Sequence, residues 1–201
     1  MGMSEINDRT IAAYDASIQG YLDNTPHEVS RTSKAWLDAS LRGLPSDARI
    51  LEIGSGFGHD ATYIEQQGFV VERTDATPGF VEFLRSQSHE ARTLNVLRDK
   101  IDGPYDLVFA DAVFHHLNRA DTIIATSNIL AGLVDDGRFA ASLRLGLQEG
   151  WSEEKIGAPR FFSHWERADM MKVIKDVGFA SIAATDGEHV SATWLHFIAR
   201  K

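Results

Sequence analysis

The amino-acid sequence predicts an α/β protein in which helices cover both faces of a parallel sheet. Short apolar runs alternate along the chain with stretches of helical periodicity, which is typical of parallel strands joined by crossover helices. Three glycines follow the first apolar run, and only a few residues join the last two runs. Because so short a connection cannot cross a sheet, we expect the last pair of strands to be antiparallel.

The composition indicates a single globular domain. The chain has 201 residues, of which 43% are hydrophobic and 24% are charged, and these values exclude the disordered and fibrous classes. No apolar run reaches the roughly 20 residues that a membrane helix needs. No secretory signal is readable at the N-terminus, so we expect a cytoplasmic location and no membrane partner.

The net charge and the absence of cysteine exclude further classes of site and partner. Without cysteine, the chain has no disulfide, thiolate nucleophile or cysteine-based zinc site. Its 20 basic and 29 acidic residues give a net charge of −9, which repels the phosphates of nucleic acids. The eight histidines show no tight metal-ligand spacing. We therefore expect neither a nucleic-acid partner nor a bound metal, and the sequence leaves the oligomeric state open.

The first 45 residues predict two helices. Apolar residues recur at helical spacing from Ile6 to Leu22. Thr25 and Glu28 have the spacing of a capping box, with Pro26 at the first helical position, so a second helix is predicted from Pro26 to Gly43. We expect these helices to pack over the domain that follows.

Strands and helices then alternate. The predicted strands of this region are 50–53, 69–74, 94–97, 105–110 and 138–143. One predicted helix ends near Gln67, a second begins at Pro78, and a third runs from Arg119 to Val134. Residues 135–137, Asp-Asp-Gly, are predicted to turn into the fifth strand.

The last part of the chain predicts a helix and two strands. After a variable stretch from Leu145 to Arg160, Ser163 and Glu166 form a second capping-box pattern, and the helix that it predicts ends at Gly178. The final strands are predicted at 179–185 and 192–199, joined around residues 186–188. The variable stretch contains Trp151 and a glycine on either side, and Trp151 is a candidate for lining a pocket. Phe161 and Phe162 are further candidates, although core burial explains these two residues equally well.

The most informative segment is residues 50–60, ILEIGSGFGHD, where Gly54, Gly56 and Gly58 stand between a strand and a helix. Glycines at such a turn let a ligand lie against bare backbone groups. The dinucleotide fingerprint G-x-G-x-x-G would need its third glycine at His59, so the spacing argues against a nicotinamide enzyme.

Residues 52–58, EIGSGFG, instead resemble the E/D-x-G-x-G-x-G motif of class I S-adenosylmethionine-dependent methyltransferases. The resemblance continues in order with Asp75, which stands 19 residues after Gly56, with Asn95–Val96, and with the segment YDLVFADAVFHHL. It covers roughly residues 48–144 and, more loosely, the last helix and strand. It departs at residues 135–137, where the family usually has Pro-Gly-Gly.

This resemblance implies a Rossmann-like three-layer sandwich with a seven-stranded, mostly parallel sheet whose last strand is antiparallel. It implies one domain, with an N-terminal helical cap at 1–45, a cofactor-binding core at 46–144 and a substrate-side loop, helix and final hairpin at 145–201. The implied cofactor is S-adenosylmethionine, with S-adenosylhomocysteine as the product. Its methyl group would reach the acceptor by in-line displacement, for which alignment is the main requirement.

The resemblance also implies the cofactor contacts. Asp75 is expected to accept hydrogen bonds from the ribose hydroxyls, although capping the helix at Pro78 is an alternative. Tyr14 and Arg31 are the least specific of the expected contacts, because core packing of an amphipathic helix explains Tyr14 better and a solvated surface position explains Arg31 equally well. The full set of expected contacts is Tyr14, Arg31, Glu52, Gly54, Ser55, Gly56, Asp75, Ala76, Asn95, Val96, Ala110 and Asp111.

His115 and His116 follow the fourth strand, at the edge where parallel sheets open their binding crevice. We expect His115 to act as a general base, with burial or solvation as the alternative. A small-molecule acceptor is expected, because no cysteine is present for cytosine C5 chemistry and residues 111–114 differ from the D/N-P-P-Y/F motif. The alternatives are a non-catalytic module that binds S-adenosylmethionine and acts on a protein partner, and a nicotinamide-dependent oxidoreductase.

Overall fold

The computed structural model describes residues 3–189 and 192–201 and contains nine strands and seven α-helices within them. The strands are β1 (Arg49–Ile53), β2 (Val70–Asp75), β3 (Ala91–Thr93), β4 (Tyr105–Ala110), β5 (Leu133–Arg144), β6 (Glu149–Ser152), β7 (Arg160–Ser163), β8 (Ser181–His189) and β9 (Ala192–Arg200). The helices are α1 (Met3–Asp15), α2 (Ile18–Asp23), α3 (Arg31–Leu41), α4 (His59–Gln66), α5 (Pro78–Ser86), α6 (Arg119–Gly132) and α7 (Arg167–Val177), with a single 3₁₀ turn at Phe114–His116.

Seven of these strands form one sheet in the order β3-β2-β1-β4-β5-β9-β8. Strands β1 to β5 pair in parallel, and β9 is antiparallel to both β5 and β8. The predicted α/β class, the seven-stranded sheet and the antiparallel last strand are therefore confirmed. Strands β6 and β7 form a separate antiparallel pair.

Helices pack on both faces of the sheet because its strands are apolar on both sides. In β4, Leu107 and Phe109 belong to one buried cluster, whereas Val108 and Ala110 belong to another. Trp36 of α3 and Ile64 of α4 pack in the first cluster, and α6 and α7 contribute to the second. The result is a three-layer sandwich. No helix in the described ranges is long and apolar enough to span a membrane.

The N-terminal helices differ from the prediction. The helix expected from Ile6 to Leu22 is interrupted at residues 16–17 and becomes α1 and α2. The helix expected at Pro26 begins at Arg31, because the Ser30 hydroxyl accepts the N–H of Ser33 and caps it. The Thr25 hydroxyl donates to the Tyr21 carbonyl at the end of α2 and does not serve a capping box.

Two other local predictions are wrong for similar reasons. The third strand lies at Ala91–Thr93 and not at 94–97, because the Asn95 side chain accepts the N–H of Leu97 and turns the chain after Leu94. Residues 135–137 do not form a separate turn and lie within β5, where Asp136 has a positive φ of 62°.

The end of the chain also departs from the prediction. Ser163 belongs to β7, where its hydroxyl donates to Glu149, so α7 begins at Arg167 without a side-chain cap. The variable stretch that begins at Leu145 contains β6. Residues 186–188, expected to join the last strands, lie within β8, where Gly187 pairs with Trp194.

Candidate functional site

The glycine loop joins β1 to α4 and is tightly packed at Gly54 and Gly58. Gly54, Gly56 and Gly58 have φ values of 74°, 50° and 75°, in the left-handed region that glycine adopts at little cost. A Cβ on Gly54 would overlap Cγ2 of Val113. On Gly56 the nearest atom would be Cε1 of Tyr21 at 3.9 Å, an ordinary contact distance, and Gly56 borders an unfilled space.

That space is a cavity of about 110 Å³, which we call the glycine-loop cavity. It lies beyond the carboxyl ends of β1, β2 and β4, where parallel sheets bind ligands. Helix α1 covers it with Asn7, Thr10 and Tyr14. Eight of the residues expected from the sequence line it, namely Tyr14, Gly54, Gly56, Asp75, Ala76, Asn95, Val96 and Asp111.

Asp75 is the best-anchored carboxylate of this cavity. Its two oxygens accept the backbone N–H groups of Gly56 at 2.9 Å and Thr77 at 2.8 Å. Burial raises the pKa of Asp75, and these two hydrogen bonds act in the opposite direction. The carboxylate is therefore fixed in orientation, and each oxygen keeps capacity for a further donor.

More carboxyl groups lie around the loop. Burial raises the pKa of Glu52 to about 7, and its Oε2 atom has no hydrogen-bond partner among the described residues. Burial, together with repulsion from Asp111 and Glu52, raises the pKa of Asp60. A cation bound near this end of the sheet would favour the ionised forms of these groups.

A second cavity of about 540 Å³ adjoins the first, and we call it the aromatic cavity because Trp151, Phe162 and Trp194 line it. Four residues line both cavities, namely Tyr14, Tyr21, Ala112 and His116. We call these four residues the boundary.

A hydrogen-bonded chain runs from the boundary into the aromatic cavity. His116 Nδ1 lies 2.7 Å from the Phe161 carbonyl, which can only accept, so this nitrogen carries the proton. His116 Nε2 is then the acceptor for the Tyr14 hydroxyl at 2.8 Å. Burial is the main cause that lowers the pKa of His116 to about 3 and the pKa of His115 well below its usual value, so both rings are neutral near pH 7.

His115 has the one unpaired ring nitrogen of this chain of contacts. Its Nε2 atom lies 3.1 Å from Nε2 of His116, an acceptor, so the proton of His115 is assigned to Nε2. Nδ1 of His115 is then a bare lone pair, buried and without a partner in the described part of the chain. His115 lines the aromatic cavity and not the glycine-loop cavity.

The other expected contacts lie elsewhere. Arg31 is exposed at the start of α3 and lines neither cavity, so its expected role is not supported. Glu52, Ser55 and Ala110 are buried beside the glycine-loop cavity without lining it. The Ser55 hydroxyl accepts the N–H of Thr74 and ties the loop to β2.

Sequence reasoning missed the positively charged residues of the aromatic cavity, Arg144, Lys155 and Arg160. Arg144 ends β5, so its position at a strand's carboxyl end was the available signal. Lys155 and Arg160 lie in the stretch expected on the substrate side, where only Trp151 was named as a candidate. Within residues 3–189 and 192–201, no group of three or more His, Asp or Glu side chains is arranged to hold a metal ion.

Comparisons with known proteins agree with this architecture. Residues 51–141 match the methyltransferase domain family. No curated protein sequence matches the chain significantly.

Solved structures share the fold at low sequence identity. The chain is similar to Burkholderia thailandensis 1,6-didemethyltoxoflavin-N1-methyltransferase with bound 1,6-didemethyltoxoflavin and S-adenosylhomocysteine, with a TM-score of 0.77 and 19% identity over 100% of this chain and 91% of that chain. A DhpI-SAM-HEP complex has a TM-score of 0.76 and 13% identity over 98% of both chains. Haemonchus contortus phosphoethanolamine N-methyltransferase 2 in complex with S-adenosyl-L-methionine has a TM-score of 0.73 and 14% identity, over 100% of this chain and 60% of that chain.

Proposed function

We propose that this protein transfers a methyl group from S-adenosylmethionine to a small molecule, and the match of residues 51–141 to the methyltransferase domain family supports this proposal. The observation that carries the proposal is the boundary shared by the two cavities. A donor in the glycine-loop cavity and an acceptor in the aromatic cavity would meet there. Holding two reactants in line removes several kcal/mol of the barrier, on the order of 7–11 in favourable cases.

The residues of the glycine-loop cavity fit this cofactor. Asp75 has free acceptor capacity for the ribose hydroxyls, and Asn95 and Val96 would lie beside the adenine. The open backbone at Gly56 gives close approach, and the carboxyl groups of Glu52 and Asp111 favour a cation. When bound, S-adenosylmethionine supplies a methyl group on a positively charged sulfur.

Residues 1–45 serve as the cap in this proposal. Helix α1 closes the glycine-loop cavity to about 110 Å³, whereas sites for drug-sized ligands usually hold about 300–1,000 Å³. Entry of the cofactor therefore requires α1 to move outward. Residues 46–144 hold the cofactor, and residues 145–201 complete the acceptor side. The cytoplasmic location and the absence of nucleic-acid partners stay predictions from the sequence.

We propose His115 as the proton acceptor. A hydroxyl becomes strongly acidic once it carries the new methyl group, and a protonated amine must lose a proton before it can attack the methyl group, so both acceptors need a base. His115 lines the aromatic cavity, its Nδ1 atom has no partner among the described residues, and its ring is neutral because burial lowers the pKa of His115. The aromatic cavity, at about 540 Å³, has the size of a small-molecule site.

Calorimetric titration with S-adenosylmethionine, S-adenosylhomocysteine and NADH tests the proposal at its first step. We expect the adenosyl compounds to bind and NADH not to bind. Release of S-adenosylhomocysteine would then be measured across amines, phenols, thiols and carboxylates. Binding without turnover, together with a protein that copurifies, would favour a non-catalytic module.

Asp75→Ala gives the sharper binding test. Losing charge-assisted hydrogen bonds costs about 1.5–3 kcal/mol, so the dissociation constant should rise about 10- to 100-fold. Asp47→Ala, at an exposed aspartate in the turn before β1, is the matched control and should bind as the unchanged protein does. Equal affinity for the Asp75→Ala protein would remove Asp75 from the cofactor site.

A further inference from the structure

The aromatic cavity contains three cationic side chains, Arg144, Arg160 and Lys155, and no ion pair within the described residues neutralises any of them. Arg160 is only 4% exposed. Its guanidinium donates to the Tyr14 hydroxyl at 3.1 Å and to the Glu154 carbonyl, both of which are uncharged. A buried charge is normally paired, because burying it alone is costly.

Both arginines also keep a buried donor without an acceptor. The Nε atoms of Arg144 and Arg160 are inaccessible to solvent and have no hydrogen-bond partner among residues 3–189 and 192–201. An unpaired buried donor destabilises the fold, so such donors point to a group that is supplied from outside the chain.

The two guanidinium groups lie around one aromatic wall. Their Cζ atoms are 5.4 Å (Arg144) and 5.1 Å (Arg160) from the centre of the Phe162 ring. Arg144 is also 5.7 Å from the Trp194 ring. Stacking on rings holds the planar guanidinium forks in place while leaving their edges available for oxygen atoms.

The acidic residues of the cavity do not cancel this charge. Glu149 and Glu154 are exposed, and the Glu149 carboxylate accepts the Ser163 hydroxyl. Lys155 lies with Nζ 4.2 Å over the Tyr21 ring. Desolvation of this ammonium group, with repulsion from Arg160 and Arg144, lowers the pKa of Lys155 to about 8, so the arginines act on their neighbours as uncompensated positive charges.

We propose that the methyl acceptor is a small anion whose carboxylate or phosphoryl oxygens bind Arg144 and Arg160 in the aromatic cavity. This inference rests on the proposed function and names the substrate class of the same site. The oxyanion would bind the guanidinium groups of Arg144 and Arg160 where they line the cavity, and Lys155 would add a third positive charge. Because the Arg160 guanidinium lies 3.1 Å from the Tyr14 hydroxyl, an acceptor that binds Arg160 would lie beside the boundary.

The test is a calorimetric titration of the full chain saturated with S-adenosylhomocysteine. The probes are benzoate, phenyl phosphate and the neutral amide benzamide, which all carry a ring that fits an aromatic wall. We expect at least one anion to bind 10-fold or more tightly than benzamide. Preference for benzoate would identify a carboxylate acceptor, and preference for phenyl phosphate would identify a phosphoryl acceptor.

Variants show whether the arginines cause that preference. Arg144→Gln should lose at least 10-fold in affinity for the preferred anion while binding S-adenosylhomocysteine normally, which also shows that the protein is folded. Arg160→Lys, which keeps a charge but not the planar fork, should lose less. Arg42→Gln, at an exposed arginine after α3, should change nothing.

The outcomes separate this inference from the proposed function. If S-adenosylhomocysteine does not bind the unchanged protein, the proposed function fails. If it binds and benzamide binds as tightly as both anions, only the anionic acceptor is excluded. Unchanged anion affinity in Arg144→Gln and Arg160→Lys would also overturn the inference.

Discussion

The two cavities are adjacent but are built in opposite ways. The glycine-loop cavity has at its base the glycine loop and other residues that follow the ends of neighbouring strands, and carboxyl groups lie around it. The aromatic cavity is formed by long side chains from separate segments, including Tyr14 of α1, Arg144 of β5 and Trp194 of β9, and it is positively charged. Sheet topology therefore determines the first cavity, whereas exchangeable side chains determine the second.

The largest expected effect is the pH dependence of the free energy of unfolding that His116 causes. The pKa of His116 is about 3 in the folded protein, below its usual 6.5, so the unfolded chain binds more protons between these values. The free energy of unfolding should then fall as the pH drops from 6.5 to 3, by about 5 kcal/mol from this residue. His116→Asn should flatten this part of the curve, as measured by urea unfolding at a series of pH values.

His116→Gln supplies a second uncharged replacement and should flatten the same part of the curve. If His116→Asn shows the same acid loss as the unchanged protein, His116 is not held neutral by its burial.

Glu52, beside the glycine-loop cavity, should change the free energy of unfolding with pH in the direction opposite to His116. Its pKa is about 7 in the folded protein, above its usual 4.5, so the folded chain binds more protons between these values. The free energy of unfolding should fall as the pH rises from 4.5 to 7, by about 3 kcal/mol from this group. Glu52→Gln should therefore be more stable than the unchanged protein above pH 7.

Urea unfolding at pH 5 and pH 8 measures this difference, with the exposed Glu90→Gln as the control. A Glu52→Gln protein that gains nothing at pH 8 would mean that the Glu52 carboxylate is solvated or paired when ionised.

The same contrast explains what the sequence could predict. The strand 105–110 and the helix start at Pro78 were predicted at their observed positions, because an apolar run and a proline act locally. The positions of Gly54, Gly56, Asp75 and Asp111 around the glycine-loop cavity follow from strand ends that meet at one sheet edge.

The remaining errors arise where a tertiary contact competes with a local pattern. The hydroxyls of Thr25 and Ser163 have capping-box spacing, but the first donates to the Tyr21 carbonyl and the second to Glu149. The aromatic cavity could be predicted only in part, at Trp151 and Phe162, because its walls are far apart in the chain. Arg160 and Tyr14, for example, are separated by 146 residues and meet only after folding.

Gly54→Ala would test whether the backbone of the glycine loop is as tightly packed as its geometry indicates. The new Cβ would overlap Cγ2 of Val113, and overpacking of this kind costs about 1–3 kcal/mol. Gly43→Ala is a matched control, because Gly43 has a φ of 75° close to the 74° of Gly54 and no atom would lie within 4 Å of its Cβ.

Both variants share the cost of a left-handed alanine, so the difference between their urea midpoints isolates the overlap. Adding Val113→Ala to the Gly54→Ala protein should restore most of that difference. Equal losses in Gly54→Ala and Gly43→Ala would show that Val113 moves aside freely and that the loop is not rigid there.

The smallest expected effect concerns the boundary itself. Tyr14→Phe keeps the ring but removes the hydroxyl that donates to His116 and accepts from Arg160. Each such hydrogen bond contributes about 1 kcal/mol, so we expect kcat to fall about 5- to 10-fold while the affinity for S-adenosylmethionine changes less than 2-fold. Tyr63→Phe, which removes an exposed hydroxyl bonded to Asp38, should change neither quantity. If Tyr14→Phe weakens cofactor binding as much as it slows turnover, Tyr14 belongs to the glycine-loop cavity alone and the two cavities do not meet at its hydroxyl.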